Sequence, residues 1–367
     1  MKRLIPIIIM VLLTPLLGGC ALFPSSLRGM ERLAVVQALG VDRETSGGVR
    51  LSMVTAADSS RGEGPVRMSG RGVTISAAAE DAAAHAAEER VFCAHTGYIL
   101  IGEESAREGV ETLLRHVCRS RELRMDVPLL IVRGASAGEA LLQSGDERVG
   151  AAELLEALAA AAPERLGGEL PSVARIAGRL ERGGCALAAA IVCTPSSEQE
   201  GEQRPLTLAA EGLAVLQDGK LTAFLDEEEA VGAELLCGAR GVHEFVVTDH
   251  SGQRVTLQTA PGRTDLRPVR GEDGEIEAIE LTIRLTASVA ELDGEGKLSD
   301  GDYADELAAL LERELLRAGS AVVHLGNTLG ADLLCLRERS GIDGAETLPV
   351  HLGVSVRVSH ANDMRDG

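Results

Sequence analysis

Short apolar runs open the mature part of the chain at a strand-like length, and helical spacing of apolar positions follows only later. Residues 33–41 and 49–54 are two such runs, separated by the Gly-containing turn 42–48, and together they predict a hairpin. The Ala-rich stretch 76–90 predicts a helix. Residues 97–101 and 125–132 are short buried strands by pattern, and between them Ser105 and Glu108 are spaced as a capping box. Ala106, Val110, Leu113, Leu114 and Val117 then recur at helical spacing. A strand-helix-strand crossover joins parallel neighbours, so part of the first sheet is expected to be parallel. Helices are expected over 151–162 and 171–180, and a strand over 185–192.

Residues 194–205 contain no apolar residue able to anchor them and read as a linker between two domains. Beyond it long strands and tight turns dominate. Runs at 208–216 and 221–225 flank Asp218-Gly219, a hairpin signal. A short helix is expected to start at Asp226 and to close at Gly238. Runs 242–248 and 254–259 flank the turn 249–252, and 276–292 carries long alternation through Ile279, Leu281, Ile283 and Leu285. An amphipathic helix over 300–317 places Ala304, Leu307, Ala308, Leu311 and Leu315 on one face, and Val350 to Val358 alternate strictly as a final half-buried strand. The fold class expected is α+β, multi-domain, with mixed sheets packed against helices and a mostly antiparallel C-terminal sheet carrying a long amphipathic helix.

The N-terminus is a different kind of segment. Lys2 and Arg3 precede an apolar run shorter than the ~20 residues of a spanning helix, and Leu17-Gly18-Gly19 leads to Cys20. This is the form of a lipoprotein signal peptide over 1–19, with Cys20 as the lipid attachment site and 20–32 as a lipidated tether. Two acyl chains give stable anchoring where one does not. The remaining organisation expected is an N-terminal α/β region at 33–193, divisible near 134–150, the linker 194–205, and a C-terminal α+β domain at 206–367.

Composition narrows the function. Aromatics are 2% of the chain and Trp is absent, which argues against an aromatic-lined sugar or nucleobase groove. The formal charge is -20, and loss of Lys2 and Arg3 makes it -22, so nucleic acid is a poor partner. Besides Cys20 there are Cys93, Cys118, Cys185, Cys193, Cys237 and Cys335, with no C-x-x-C spacing and no disulfide framework. Most are expected to be buried, inert thiols.

Gly134-Ala135-Ser136-Ala137-Gly138 matches G-x-S-x-G between a strand and a helix, the context of a hydrolase nucleophile elbow. Ser136 equally suits a helix N-cap with Glu139 at N3, and no HGGG-type oxyanion loop precedes it. His85, His95 and His116 lie on separate expected elements without the spacing of paired ligands, and the acidic stretch 293–302 lacks the glycine of a calcium loop. No catalytic residue, metal site or cofactor is therefore expected.

The order of motifs resembles the Ger(x)C lipoproteins, the C subunits of spore germinant receptors. Residues 33–42 are similar to the family's opening strand ending in Gly-Ile-Asp, and 93–109 to its His, apolar strand, Gly-Glu-Glu, Ala-Arg-x-Gly series. Arg119-Ser120-Arg121-Glu122-Leu123-Arg124 resembles its Arg-rich turn, 211–221 its start of the C-terminal domain, and 329–332 its Leu-Gly-Ala-Asp step. The family's Trp-Asp after the lipidated cysteine is replaced by Ala21-Leu22, and the aromatic-rich segment after Leu-Gly-Ala-Asp is shortened.

The resemblance implies three mixed α/β domains without catalytic residues. It also implies a place on the outer face of the spore inner membrane, beside a multi-span A subunit and a transporter-like B subunit. Arg119, Arg121 and Arg124 are the expected partner-docking residues. Two other readings are a substrate-binding lipoprotein of an importer, which calls for two similar doubly wound lobes, and a lipid-anchored esterase using Ser136.

Overall fold

The computed structural model describes residues 33–55, 64–85, 90–145, 149–195, 206–238, 241–292 and 301–359. Cys20, the signal peptide and most of the acidic stretch 293–302 lie outside the described residues. Two sheets organise the rest. The first has nine strands in the order β3-β2-β1-β5-β6-β7-β8-β9, with β4 (Arg90–Phe92) also paired to β1.

β1 (Leu33–Arg43) and β2 (Val49–Thr55) form the expected antiparallel hairpin, and β3 (Arg67–Gly72) extends it. α1 (Ile75–Ala84) packs on β3 and begins at Thr74, whose side chain accepts from the Ala77 N–H. β5 (Tyr98–Gly102), β6 (Leu129–Arg133) and β7 (Cys185–Pro195) continue parallel to β1, as the crossover argument requires.

The helix between β5 and β6 departs from expectation. It is split into α2 (Glu103–Glu108) and α3 (Glu111–Arg119). Ser105 is inside α2 rather than at an N-cap, and its hydroxyl accepts from the Arg43 N–H at 2.8 Å. The break is Gly109, at φ 139, a conformation open to glycine and strained for other residues.

The expected linker at 194–205 does not separate two sheets. β8 (Leu206–Gln217) pairs antiparallel with β7 along most of its length, and β9 (Lys220–Leu225) follows through a turn with Asp218 at φ 50 and Gly219 at φ 76. Residues 196–205 lie outside the described residues, and the first sheet runs on past them. Ten register pairs of backbone and alternating apolar contacts outweigh the composition of the connecting loop. Gly212, at φ 79, lets β8 turn against Leu225, whose carbonyl oxygen would collide with a Cβ there.

The second sheet contains β10 (Glu244–Thr248), β11 (Arg254–Thr259), β12 (Arg263–Arg270), β13 (Ile276–Leu292) and β14 (Val350–Ser359). β11 and β12 pair antiparallel with successive halves of β13. β14 pairs with β13 in parallel, because the long helix between them returns the chain to the end from which β13 started. Of the other helices, α4 (Ala137–Gln143), α5 (Ala151–Leu166) and α6 (Val173–Gly183) lie between β6 and β7, and α7 (Glu227–Cys237) follows β9. α8 (Gly301–Leu329) and α9 (Leu336–Ser340) precede β14.

α8 runs twelve residues beyond the expected end at 317 because Ala318, Gly319 and Val322 continue its buried face. Gly319 is a contact surface there, not a stop: a Cβ would sit 3.3 Å from Leu352 and 3.4 Å from Leu236. Two cores result. One holds α4, α5, α7 and α8 between the two sheets, and the other holds α1, α3 and α6 on the outer face of the first sheet. The sheets have different strand orders, so the two similar lobes of an importer protein are not what this chain folds into.

Candidate functional site

The carboxyl ends of β1, β5 and β6 are where a parallel sheet leaves a crevice for ligands, and Ser136 stands there. Its hydroxyl accepts from the Glu139 N–H at 3.1 Å and donates to Glu139 Oε2 at 2.9 Å, while the same carboxylate accepts from the Ser136 N–H. This reciprocal capping box starts α4. An acyl-transfer site would need the N–H following the nucleophile for an oxyanion. Here the Ala137 N–H donates to Asp42 Oδ1 at 2.9 Å and the Gly138 N–H to Oδ2 at 2.8 Å.

Gly102 packs closely beneath Asp42 and Ser136. A Cβ on Gly102 would lie 2.5 Å from Asp42 Oδ1 and 2.8 Å from Ser136 Cα. On the neighbouring loop Glu103 Oε2 accepts from the Gly134 N–H at 2.8 Å. Burial raises the Asp42 carboxyl above its usual range, against the pull of the Ala137, Gly138 and Gly102 N–H groups. Asp42 thus takes the N–H groups that an oxyanion would need, and Ser136 acts as a cap.

The other end of the same strands carries the residues singled out for docking. β5 and β6 are parallel, so the turn before each lies on one side of the molecule. In the first turn Thr96 is buried with its hydroxyl donating to Cys93 O at 2.8 Å, and His95 is exposed with its ring 5.8 Å from Phe92. In the second, Ser120 Oγ accepts from the Glu122 and Leu123 N–H groups and so turns the chain, while Leu123 anchors it in the core. Arg119, Arg121 and Arg124 are left exposed.

Arg124 forms a two-bond pair with Asp126 at 2.9 and 3.1 Å. The two turns are electrostatic neighbours: the Cys93 thiol is pushed up to about 11 by burial and, after that, by the charge of Glu122. Proximity of His95 to the arginine turn follows from strand direction alone, a signal that sequence spacing conceals.

The six cysteines within the described residues are free thiols, Cys118 exposed and Cys185 and Cys335 buried. Burial pushes Cys185 and Cys335 up to about 12. Among the described residues no three His, Cys, Asp or Glu side chains are placed to hold a metal ion. A cleft that sequence reasoning missed opens where α6 faces the end of α7 and α9, lined by Arg175 and Arg179. The spacing of Arg175, Arg179 and Arg182 along one helix is the signal that could have found it.

Comparison with known proteins places this geometry in context. Residues 28–160 match the family model described as "Spore germination protein N-terminal domain". Residues 211–340 match the one described as "Spore germination B3/ GerAC like, C-terminal". The solved structure titled "Crystal Structure of the GerBC protein" is similar with a TM-score of 0.54 at 17% identity, covering 87% of this chain and 96% of that one. At that identity the likeness concerns the fold. No curated protein matches the chain.

Proposed function

The chain belongs to the GerAC-type spore germination proteins, and from that premise we propose that it is the lipid-anchored, non-enzymatic C subunit of a nutrient germinant receptor. The observation that carries this reading is the match of both germination models, N-terminal before C-terminal, over most of the chain. The engagement of the Ala137 and Gly138 N–H groups by Asp42 supports a role in assembly over one in hydrolysis. Among the described residues no helix is long and apolar enough to cross a membrane. Cys20 supplies the anchor in this reading, and the A and B membrane subunits supply the path across the bilayer.

The test is genetic and biochemical. Deleting the gene should abolish spore germination with the nutrients of the cognate receptor, and the wild-type gene should restore it. Cys20→Ala should move the protein from the membrane fraction to the soluble one. Normal nutrient germination in the deletion strain would overturn the receptor assignment, and a Cys20→Ala protein that withstands a salt wash on the membrane would overturn the anchor.

A further inference from the structure

The geometry points to a binding site for a small organic monocarboxylate with an aliphatic body, held by Arg175 and Arg179 in the cleft between α6, α7 and α9. Two cavities of about 250 and 750 Å³ meet there, sharing Arg175, Arg179, Cys237 and Gly238 in their walls. The larger volume falls in the span typical of small-ligand sites, about 300 to 1,000 Å³, and the smaller lies just below it. The inner cavity is walled by Leu166, Pro171, Ile176, Leu187 and Leu213, which suit an apolar body.

Arg175 and Arg179 are one turn apart on the same face of α6, an arrangement in which like charges repel. Among the described residues neither guanidinium has a hydrogen bond or an ion pair. Arg179 is half-buried and Arg175 exposed, and both line the two cavities. The other arginines around the cleft are engaged. Arg182 meets Glu338 at 3.1 Å, Arg263 meets Asp265 at 3.7 Å, and Arg339 donates to the carbonyls of Leu236 and Leu334.

A chain with a formal charge of -20 has carboxylates to spare for two arginines, yet folds with this pair facing open space. The planar fork of arginine matches a carboxylate with two bonds. Glu234, held by the Gly241 N–H and by His243 Nε2 at 3.1 Å, and the exposed Glu169 line the same cavity. Their charge disfavours a dianionic phosphate and leaves a monocarboxylate as the fitting anion.

The experiment uses the full chain purified in detergent and titrated with 4-methylpentanoate, with 4-methylpentanamide and inorganic phosphate as separate arms. The acid should bind one per chain, the amide at least tenfold more weakly, and the acid should slow alkylation of Cys237. The double variant Arg175→Gln/Arg179→Gln should lose binding at least tenfold with an unchanged melting temperature. If that variant does not fold, the acid and amide comparison on the wild type decides. No binding of the acid up to about 10 mM, equal binding of acid and amide, binding that survives loss of both arginines, or tighter binding of phosphate each overturns the assignment. The readout is binding by the purified chain, so it stands or falls independently of any germination phenotype.

Discussion

Tyr303, in the first turn of α8, donates its phenolic hydrogen to Asp249 Oδ2 at 3.0 Å and so ties the long helix to the turn between β10 and β11. The other carboxylate oxygen accepts from the Ser251 hydroxyl and from the Ser251 and Gln253 N–H groups. The Ser251 hydroxyl first, then these amides and the phenol, outweigh burial and hold Asp249 at about 2, against an ordinary value of 3.8. Burial, and after it the Asp249 contact, pushes Tyr303 up to about 12.

A carboxyl with a depressed native pKa contributes stability that is complete above its unfolded value and is lost as pH falls through the native one. For Asp249 that window runs from about 4 down to about 2. Asp249→Asn should therefore lower the melting temperature at pH 6 and approach the wild type near pH 2. A gap that stays constant between those two pH values would show that the charge of Asp249 is not what the site stabilises.

Asp42 joins β1 to the start of α4, ninety-five residues on in the sequence, through two buried N–H groups. Removing the acceptor strands both donors, each at a cost of about 1 to 3 kcal/mol. Asp42→Ala should destabilise by about 2 to 6 kcal/mol in chemical unfolding. Asp42→Asn, which keeps one acceptor oxygen, should lose about half as much. Equal losses for the two variants would mean that packing at this site, not the hydrogen bonds, carries its stability.

Ser136 caps α4 with Glu139 as its reciprocal partner. Ser136→Ala should cost about 0.5 to 2 kcal/mol and leave germination close to normal. The purified protein should show no ester hydrolysis that depends on this side chain. An esterase activity present in the wild type and absent in Ser136→Ala would reinstate the hydrolase.

Period and capping made much of this fold legible. The alternation of β13, the Asp226 cap with Glu229 that starts α7, and the Asp218-Gly219 turn all sit where local chemistry alone fixes them. What stayed hidden depends on partners distant in sequence. Ser105 has the spacing of a cap, but Arg43 claims its hydroxyl. The polar stretch at 194–205 has the composition of a linker, and only the pairing of β7 with β8 shows that one sheet continues on both sides of it. Asp42 belongs to a hairpin by local pattern, whereas its role is set by the helix that arrives above it. The arginine turn was legible as a motif; that it shares one side of the molecule with His95 follows from parallel strands.

Arg121 tests the proposed docking surface most directly. It is exposed in the turn ahead of β6 and, among the described residues, has no ion pair, whereas Arg124 is already neutralised by Asp126. The turn is shaped by Ser120 and anchored by Leu123, so the Arg121 side chain contributes nothing to holding it. Exposed substitutions away from such features change stability by about 0.5 kcal/mol or less. Arg121→Glu should thus leave the melting temperature nearly unchanged while abolishing co-purification with a polytopic membrane subunit. Arg124→Ala should weaken co-purification less, because its charge is largely spent within the turn. Opposing charges at an interface chiefly set the rate of association, so the effect of Arg121→Glu should shrink as salt is raised. If the reversed protein still captures its partner at low salt, the arginine turn is not the contact, and the free cations of this face have no part in assembling the receptor.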